Sequence, residues 1–288
     1  MNRPSVLIQR LLPQRLMGRL VYRLARCSRG WISRPLIAWF ARRYGVDLQD
    51  AEHDRLEDYA TLNEFFTRRL KPEARPIAGG ERTLISPVDG FLTNFGSADG
   101  GDMIQAKGLH YRLEGLLGES TERVAALMSG AYATLYLAPH QYHRVHLPLA
   151  GALHKTRYIP GKRYSVNART AAIMPRLFCR NERVVCWFET TAGLMAVVLV
   201  GALNVSSIST AWLGEIASGR ARVWEEAKAS GHGSSRGFRR GFRRGEEIGR
   251  FNLGSTVVLI LPPGKVAWRP GLAAGQPIRM GRALASLP

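Results

Sequence analysis

At 288 residues, with 45% hydrophobic and 22% charged side chains, the chain has the composition of a globular protein with a sizeable core, which excludes a disordered or fibrous class. Its 41 Lys+Arg against 22 Asp+Glu leave a formal charge of +19, which points to a polyanionic partner, either nucleic acid or an anionic membrane surface. No zinc-finger spacing, RNA-recognition aromatic signature or evident helix-turn-helix accompanies the charge, so the membrane is favoured and no nucleic acid is expected.

Residues 1–50 hold ten Arg and two acids, Asp47 and Asp50, interleaved with Leu, Ile, Val, Trp and Phe. Over residues 5–26, Leu12, Leu16, Leu20 and Leu24 recur at helical spacing, with Arg15, Arg19, Arg23 and Arg26 near the borders of that stripe. Ser33-Arg34-Pro35 reads as an N-cap with proline in the first turn of a second helix, which runs through Leu36, Ile37, Trp39, Phe40 and Tyr44 and ends at Gly45. Two basic amphipathic helices bearing Trp and Phe suit an element lying in the plane of a membrane interface. The competing reading is that their apolar stripes pack on the protein's own core. No secretory signal is expected, and no run reaches the roughly 18–20 apolar residues of a membrane span.

Residues 61–70 (TLNEFFTRRL) predict another short helix, with Leu62, Phe65, Phe66 and Leu70 on one side. After Pro87 the texture changes to short apolar runs punctuated by Gly and Pro, at 90–95, 131–138, 151–158, 183–190, 194–200, 205–212 and 256–261. The predicted class is therefore α+β: N-terminal amphipathic helices followed by a mainly antiparallel β core. Two regions follow: residues 1–50 as membrane-associating helices and residues 51–288 as the catalytic part. Arg236, Arg239, Arg240, Arg243 and Arg244 fall in a GFRR-GFRR doubling that reads as a basic loop. Cys27, Cys179 and Cys186 show no paired metal spacing and read as reduced thiols, compatible with the cytoplasm.

Three stretches carry chemistry. Phe251-Asn252-Leu253-Gly254-Ser255-Thr256 places a serine hydroxyl directly after a glycine carbonyl, just before the apolar run 257–261. Glycine leaves that carbonyl sterically open and permits a strained backbone, so the hydroxyl can attack its own preceding peptide; read alone, the tripeptide is a turn before a strand. Ser86-Pro87-Val88-Asp89-Gly90 puts a carboxylate at a tight turn, where an Asx-turn is the plain alternative. Tyr142-His143-Arg144-Val145-His146-Leu147-Pro148, together with His140 just ahead of it, gathers three of the seven histidines; His143 and His146 lack a third convergent ligand, so no metal is expected. Asp, His and Ser together are the material of a base-activated nucleophile.

These three stretches, with Asn63-Glu64-Phe65-Phe66 and Val200-Gly201-Ala202, resemble the signatures of the prokaryotic and mitochondrial phosphatidylserine decarboxylases, in the same order along nearly the whole chain. The resemblance implies a proenzyme. Ser255 would attack the Gly254 carbonyl, the resulting ester would eliminate, and the dehydroalanine formed would hydrolyse to a pyruvoyl group and ammonia. A β chain of residues 1–254 and an α chain of residues 255–288 would result. His146 would be the base and Asp89 would orient it, while His143 would serve the decarboxylation step as a general acid. The covalent pyruvoyl cofactor derived from Ser255 would turn phosphatidylserine into phosphatidylethanolamine, with a related serine-headed lipid as the close variant. The implied setting is the cytoplasmic side of the cell membrane, peripherally bound to its anionic surface, as a homodimer of β/α pairs. Ser206 departs from the family pattern, which has glycine there. Two other readings stay open at this point: a serine hydrolase using Asp89, His146 and Ser255, which lacks the Gly-x-Ser-x-Gly elbow, and a basic binding module without catalysis.

Overall fold

The computed structural model describes residues 14–106, 108–120, 122–203, 207–217, 219–225, 240–252 and 255–288. The expectations for residues 5–13, Ser206, Arg236, Arg239 and Gly254 lie outside the described residues. Two helices open the described chain, α1 (Gln14–Ala25) and α2 (Gly30–Tyr44), and a five-residue helix, α3 (Leu62–Phe66), follows. Every strand pairing after them is antiparallel, so the α+β class holds.

Helix α2 begins a turn earlier than its proline suggested. Ile32 and Ser33 already donate to the Arg29 carbonyl, and Pro35 lies inside the helix rather than at its start. Pro35 removes one bond, to the residue four before it, close enough to the N-terminus to be tolerated. Gly45 ends the helix at φ 63°, the left-handed conformation in which glycine carries no Cβ penalty. Helix α3 is capped by Thr61, whose hydroxyl accepts from Glu64 N, while the Glu64 carboxylate accepts from Ala60 N.

The apolar stripes do two things at once. Ile37 and Phe40 of α2 are buried with Ala25, Tyr59, Leu62, Phe65 and Phe66 in a small core of their own. Phe40 meets Phe65 and Phe66 edge-on, at 6.3 and 5.8 Å between ring centroids. Trp31 and Trp39, on the same helix, are 75% and 54% exposed, and Leu20 of α1 is 67% exposed. One face of these helices thus packs on the protein's own core, while another leaves large apolar side chains exposed. No helix among the described residues is long and apolar enough to cross a membrane.

The large sheet has the strand order Arg222–Glu225, Gly151–Ile159, Arg183–Thr190, Gly193–Gly201, Ser255–Leu261, Ala131–Leu137, Gly90–Ser97, Gln276–Ile278, with Gly241–Phe242 also pairing to Gly151–Ile159. A four-stranded sheet runs Gly214–Ile216, Ser207–Thr210, Glu247–Asn252, Arg144–His146. Thr83–Ile85, Ala283–Ser286 and Ala267–Trp268 form a third sheet. The runs 183–190 and 256–261 emerge as the strands Arg183–Thr190 and Ser255–Leu261. Short helices at Leu113–Leu117, Ala168–Ala171 and Leu177–Arg180 interrupt the β part, so helices are not confined to the N-terminal end.

Candidate active site

Chain order alone sets the frame of the site. Asn252 closes a strand of the four-stranded sheet and Ser255 opens a strand of the large one. Ser255 pairs with Leu137 on one side and Gly201 on the other and is 1% exposed. Its hydroxyl has no hydrogen-bond partner among the described residues, and the same is true of Thr256 beside it. An unsatisfied buried hydroxyl costs about 1–3 kcal/mol, so its persistence invites a functional explanation.

His143 is tied to that place twice. Its carbonyl accepts from Phe251 N at 3.1 Å, and its Nε2–H donates to the carbonyl of Ala138, the residue after Ser255's partner Leu137, at 3.1 Å. The ring is fully buried and lies flat on Phe66 at 3.9 Å between centroids. Burial, helped by the nearby Arg68 guanidinium, pushes the imidazole down to about 3. It is therefore neutral, and its Nδ1 lone pair has no partner among the described residues.

His146 is built with the opposite tautomer. Nδ1 lies 2.8 Å from the Gly245 carbonyl, which can only accept, so Nδ1 carries the hydrogen and Nε2 the lone pair. That lone pair accepts the Tyr142 hydroxyl at 2.8 Å. Burial holds His146 below the ordinary histidine range, against the Gly245 bond and the charges of Glu247 and Asp89. Its backbone N–H donates to Pro87 O, which lays the Asp89 turn alongside.

Asp89 is buried but makes no hydrogen bond to His146. Its carboxylate takes Arg75 Nε at 2.9 and 3.1 Å, Arg75 Nη2 at 2.5 Å and Met280 N at 2.8 Å. Arg75 also holds Asp50 at 2.7 Å. Burial works against the Arg75 charge, but its bonds to Asp89 and Asp50 prevail and raise its pKa. The orientation of His146 thus comes from Gly245 and Tyr142, and Asp89 reaches it through space. Sequence reasoning assigned no role to Arg75, Tyr142 or Gly245; Tyr142 alone lay inside a quoted motif. Next to Asp89, Gly90 has no room for a side chain, since a Cβ there would stand 2.6 Å from Tyr136 O.

A family model described as phosphatidylserine decarboxylase matches residues 62–286, and a second, described as PSD, matches residues 4–45. The chain belongs to the phosphatidylserine decarboxylase family. A protein of Pseudomonas aeruginosa (strain LESB58) named phosphatidylserine decarboxylase proenzyme is 45% identical over 284 residues, 99% of this chain and 97% of the relative. A Nitrosococcus oceani protein of the same name is 45% identical over 286 residues, covering 98% and 90%. One from Pseudomonas putida (strain GB-1) is 42% identical over 284 residues, covering 99% and 98%. As a member of the phosphatidylserine decarboxylase family the chain is an enzyme, a carboxy-lyase, and the reading as a binding module falls away. Ser255 is also a poor match for a hydrolase nucleophile of the elbow type, which sits on a strand-to-helix turn, whereas Ser255 opens a strand. No group of three or more His, Cys, Asp or Glu among the described residues is arranged to hold a metal ion.

Proposed function

We propose that the chain is made as a precursor that cuts itself between Gly254 and Ser255, and that the β and α chains so formed decarboxylate phosphatidylserine to phosphatidylethanolamine. The observation that carries this reading is the state of Ser255: a hydroxyl directly after glycine, buried, without a partner among the described residues, and opening a strand beside the anchor of His143. A neutral His146 is a competent base for that hydroxyl, and the negative charge of Asp89 favours the imidazolium that forms.

The buried Ser255 hydroxyl and the vacant Nδ1 of His143 fit a pyruvoyl group in place of residue 255. Bound in the chain, a pyruvoyl carbonyl supplies an electrophile for the headgroup amine and a sink for the electron pair released with carbon dioxide. Around it, this chain contributes a dry enclosure from Phe66 and a neutral His143 able to move a proton at Nδ1. The exposed Trp31, Trp39 and Leu20 beside the Arg-rich helices suit peripheral attachment to the anionic cytoplasmic face of the cell membrane. The active unit in this reading is a homodimer of β/α pairs.

Intact mass of the purified protein tests the proposal. Two chains divided at 254/255, the smaller with a blocked, ketone-bearing start, are expected; a single 31.9 kDa species that still decarboxylates lipid overturns it. His146→Ala is expected to stay whole, and His143→Ala to divide but turn over poorly.

A further inference from the structure

We propose that Arg68 takes the phosphodiester of the phosphatidylserine headgroup, a subsite that rests on the decarboxylase reading and deepens it. Arg68 is 5% exposed, yet it pairs with no carboxylate among the described residues. Its Nη2 donates to His140 O at 2.8 Å, while its other two contacts, Nη2 to Gln141 O and Nη1 to Phe65 O, stretch to 3.5 Å. Nε–H has no acceptor among the described residues. The Phe65 ring, 5.7 Å from the guanidinium, adds only a weak attraction. The carboxylates whose charge bears on it are engaged elsewhere: Asp89 by Arg75 and Met280 N, and Asp47 by Gln49 N. Neutral main-chain oxygens do not cancel a full charge, and a buried cation without a counter-ion is strongly disfavoured. Burial accordingly lowers the Arg68 pKa, but a guanidinium keeps its proton at neutral pH. The anion that completes the pair comes from a ligand.

The place fits a headgroup. Leu137 pairs with Ser255, His140 accepts from Arg68, and His143 bonds back to Ala138 O, so one short segment joins the guanidinium to the reacting residues. Phe66, two residues before Arg68, stacks on His143. The turn of that segment is surface: His140 is exposed and Gln141 half-buried. A lipid with its amine at residue 255 would reach the guanidinium past His140.

That headgroup carries two anionic groups. The carboxylate leaves as neutral carbon dioxide, so an ion pair with it weakens as the transition state forms and would slow the reaction. The phosphodiester keeps its charge throughout, and its oxygens suit the planar donors of arginine. Binding there is equal in ground and transition states, so it acts on KM.

The test uses purified enzyme and dihexanoyl phosphatidylserine, a monomeric substrate that needs no membrane surface. Arg68→Gln is expected to raise KM about tenfold or more, and Arg68→Lys, which keeps the charge, to recover part of it. A KM for Arg68→Gln within about threefold of wild type, or a loss confined to kcat, overturns the assignment. Should Arg68→Gln fail to fold, competition in the wild type decides. Glycerophosphoethanolamine, which has the phosphodiester and no carboxylate, is expected to inhibit about tenfold more strongly than serine, which has the reverse; equal inhibition overturns the choice of phosphodiester. A wild-type chain that neither divides nor decarboxylates removes the underlying reading instead. Calorimetric titration of that chain with glycerophosphoserine still judges Arg68: binding lost in Arg68→Gln supports the subsite, and equal binding overturns it.

Discussion

Arg75→Met isolates the ion pair that holds the site carboxylate. The guanidinium and the Asp89 side chain are 9% and 11% exposed, and the substitution deletes all three contacts from Arg75 to Asp89 while leaving Met280 N in place. Removing one partner of a buried pair costs about 3–5 kcal/mol, because the other charge stays behind unpaired. The lost bond to Asp50 adds about 0–1 kcal/mol at most, since that carboxylate is 42% exposed. Against a total stability of roughly 5–15 kcal/mol this is a large fraction. At about 2–4 °C per kcal/mol, the melting temperature is expected to fall by roughly 6–20 °C. The measurement belongs in a Ser255→Ala background, which the proposed chemistry requires to stay in one piece. Asp89→Asn added to Arg75→Met is expected to restore much of the loss, with a coupling energy of about 2 kcal/mol or more in a double-mutant cycle. A melting temperature for Arg75→Met within about 2 °C of the parent refutes the reasoning, as does simple additivity of the two substitutions.

Acid should weaken the fold through its histidines. His143 sits near 3 in the folded chain against 6.5 for an ordinary histidine, so between those values the unfolded chain binds more protons and stability is lost as pH falls. From pH 7 to 5.5, His143 alone accounts for about 1.3 kcal/mol, and His146 adds with the same sign; urea unfolding at the two pH values checks this, and an undiminished difference in His143→Gln contradicts it. Trp31→Ser with Trp39→Ser is expected to leave the melting temperature unchanged, because both rings are largely exposed, yet to weaken binding to vesicles containing anionic lipid at least tenfold. Equal vesicle binding would take these residues out of the membrane contact.

Much of the β part was legible because its signals are local. The strand Arg183–Thr190 carries β-branched and aromatic residues through to its end, and Gly193 at φ 97° turns the chain back into the next strand. The all-buried strand Ser255–Leu261 shows in its last five residues, Val257 to Leu261, as an unbroken apolar run, since both of its faces are covered. Helix α2 was misjudged at its start because proline is common in a first turn, and nothing nearby revealed the extra turn before it. The four-residue helices Ala168–Ala171 and Leu177–Arg180 are too short to show periodicity, and the buried Gln105 amide, bonded to Ala171 O, Met174 O and Leu177 N, settles them from a distance. The same distance hides the site's supports. Arg75 reaches Asp89 and Asp50 across 14 and 25 residues, and Gly245 reaches His146 across 99, so no spacing rule connects them. The reacting residues stand out by type; their holders do not.

The placement of the segment that begins at Ser255 bears on what a backbone break there would do. Its first strand lies inside the large sheet, hydrogen-bonded on both sides; Gln276–Ile278 forms the edge of the same sheet, and Ala283–Ser286 lies between the other two strands of the three-stranded sheet. Val257 through Leu261 are each fully buried, at about 1.5–3 kcal/mol apiece. A cut at 254/255 would therefore create new termini without releasing either piece. The shorter polypeptide would remain woven through the longer one, and separating them would require melting the centre of the molecule.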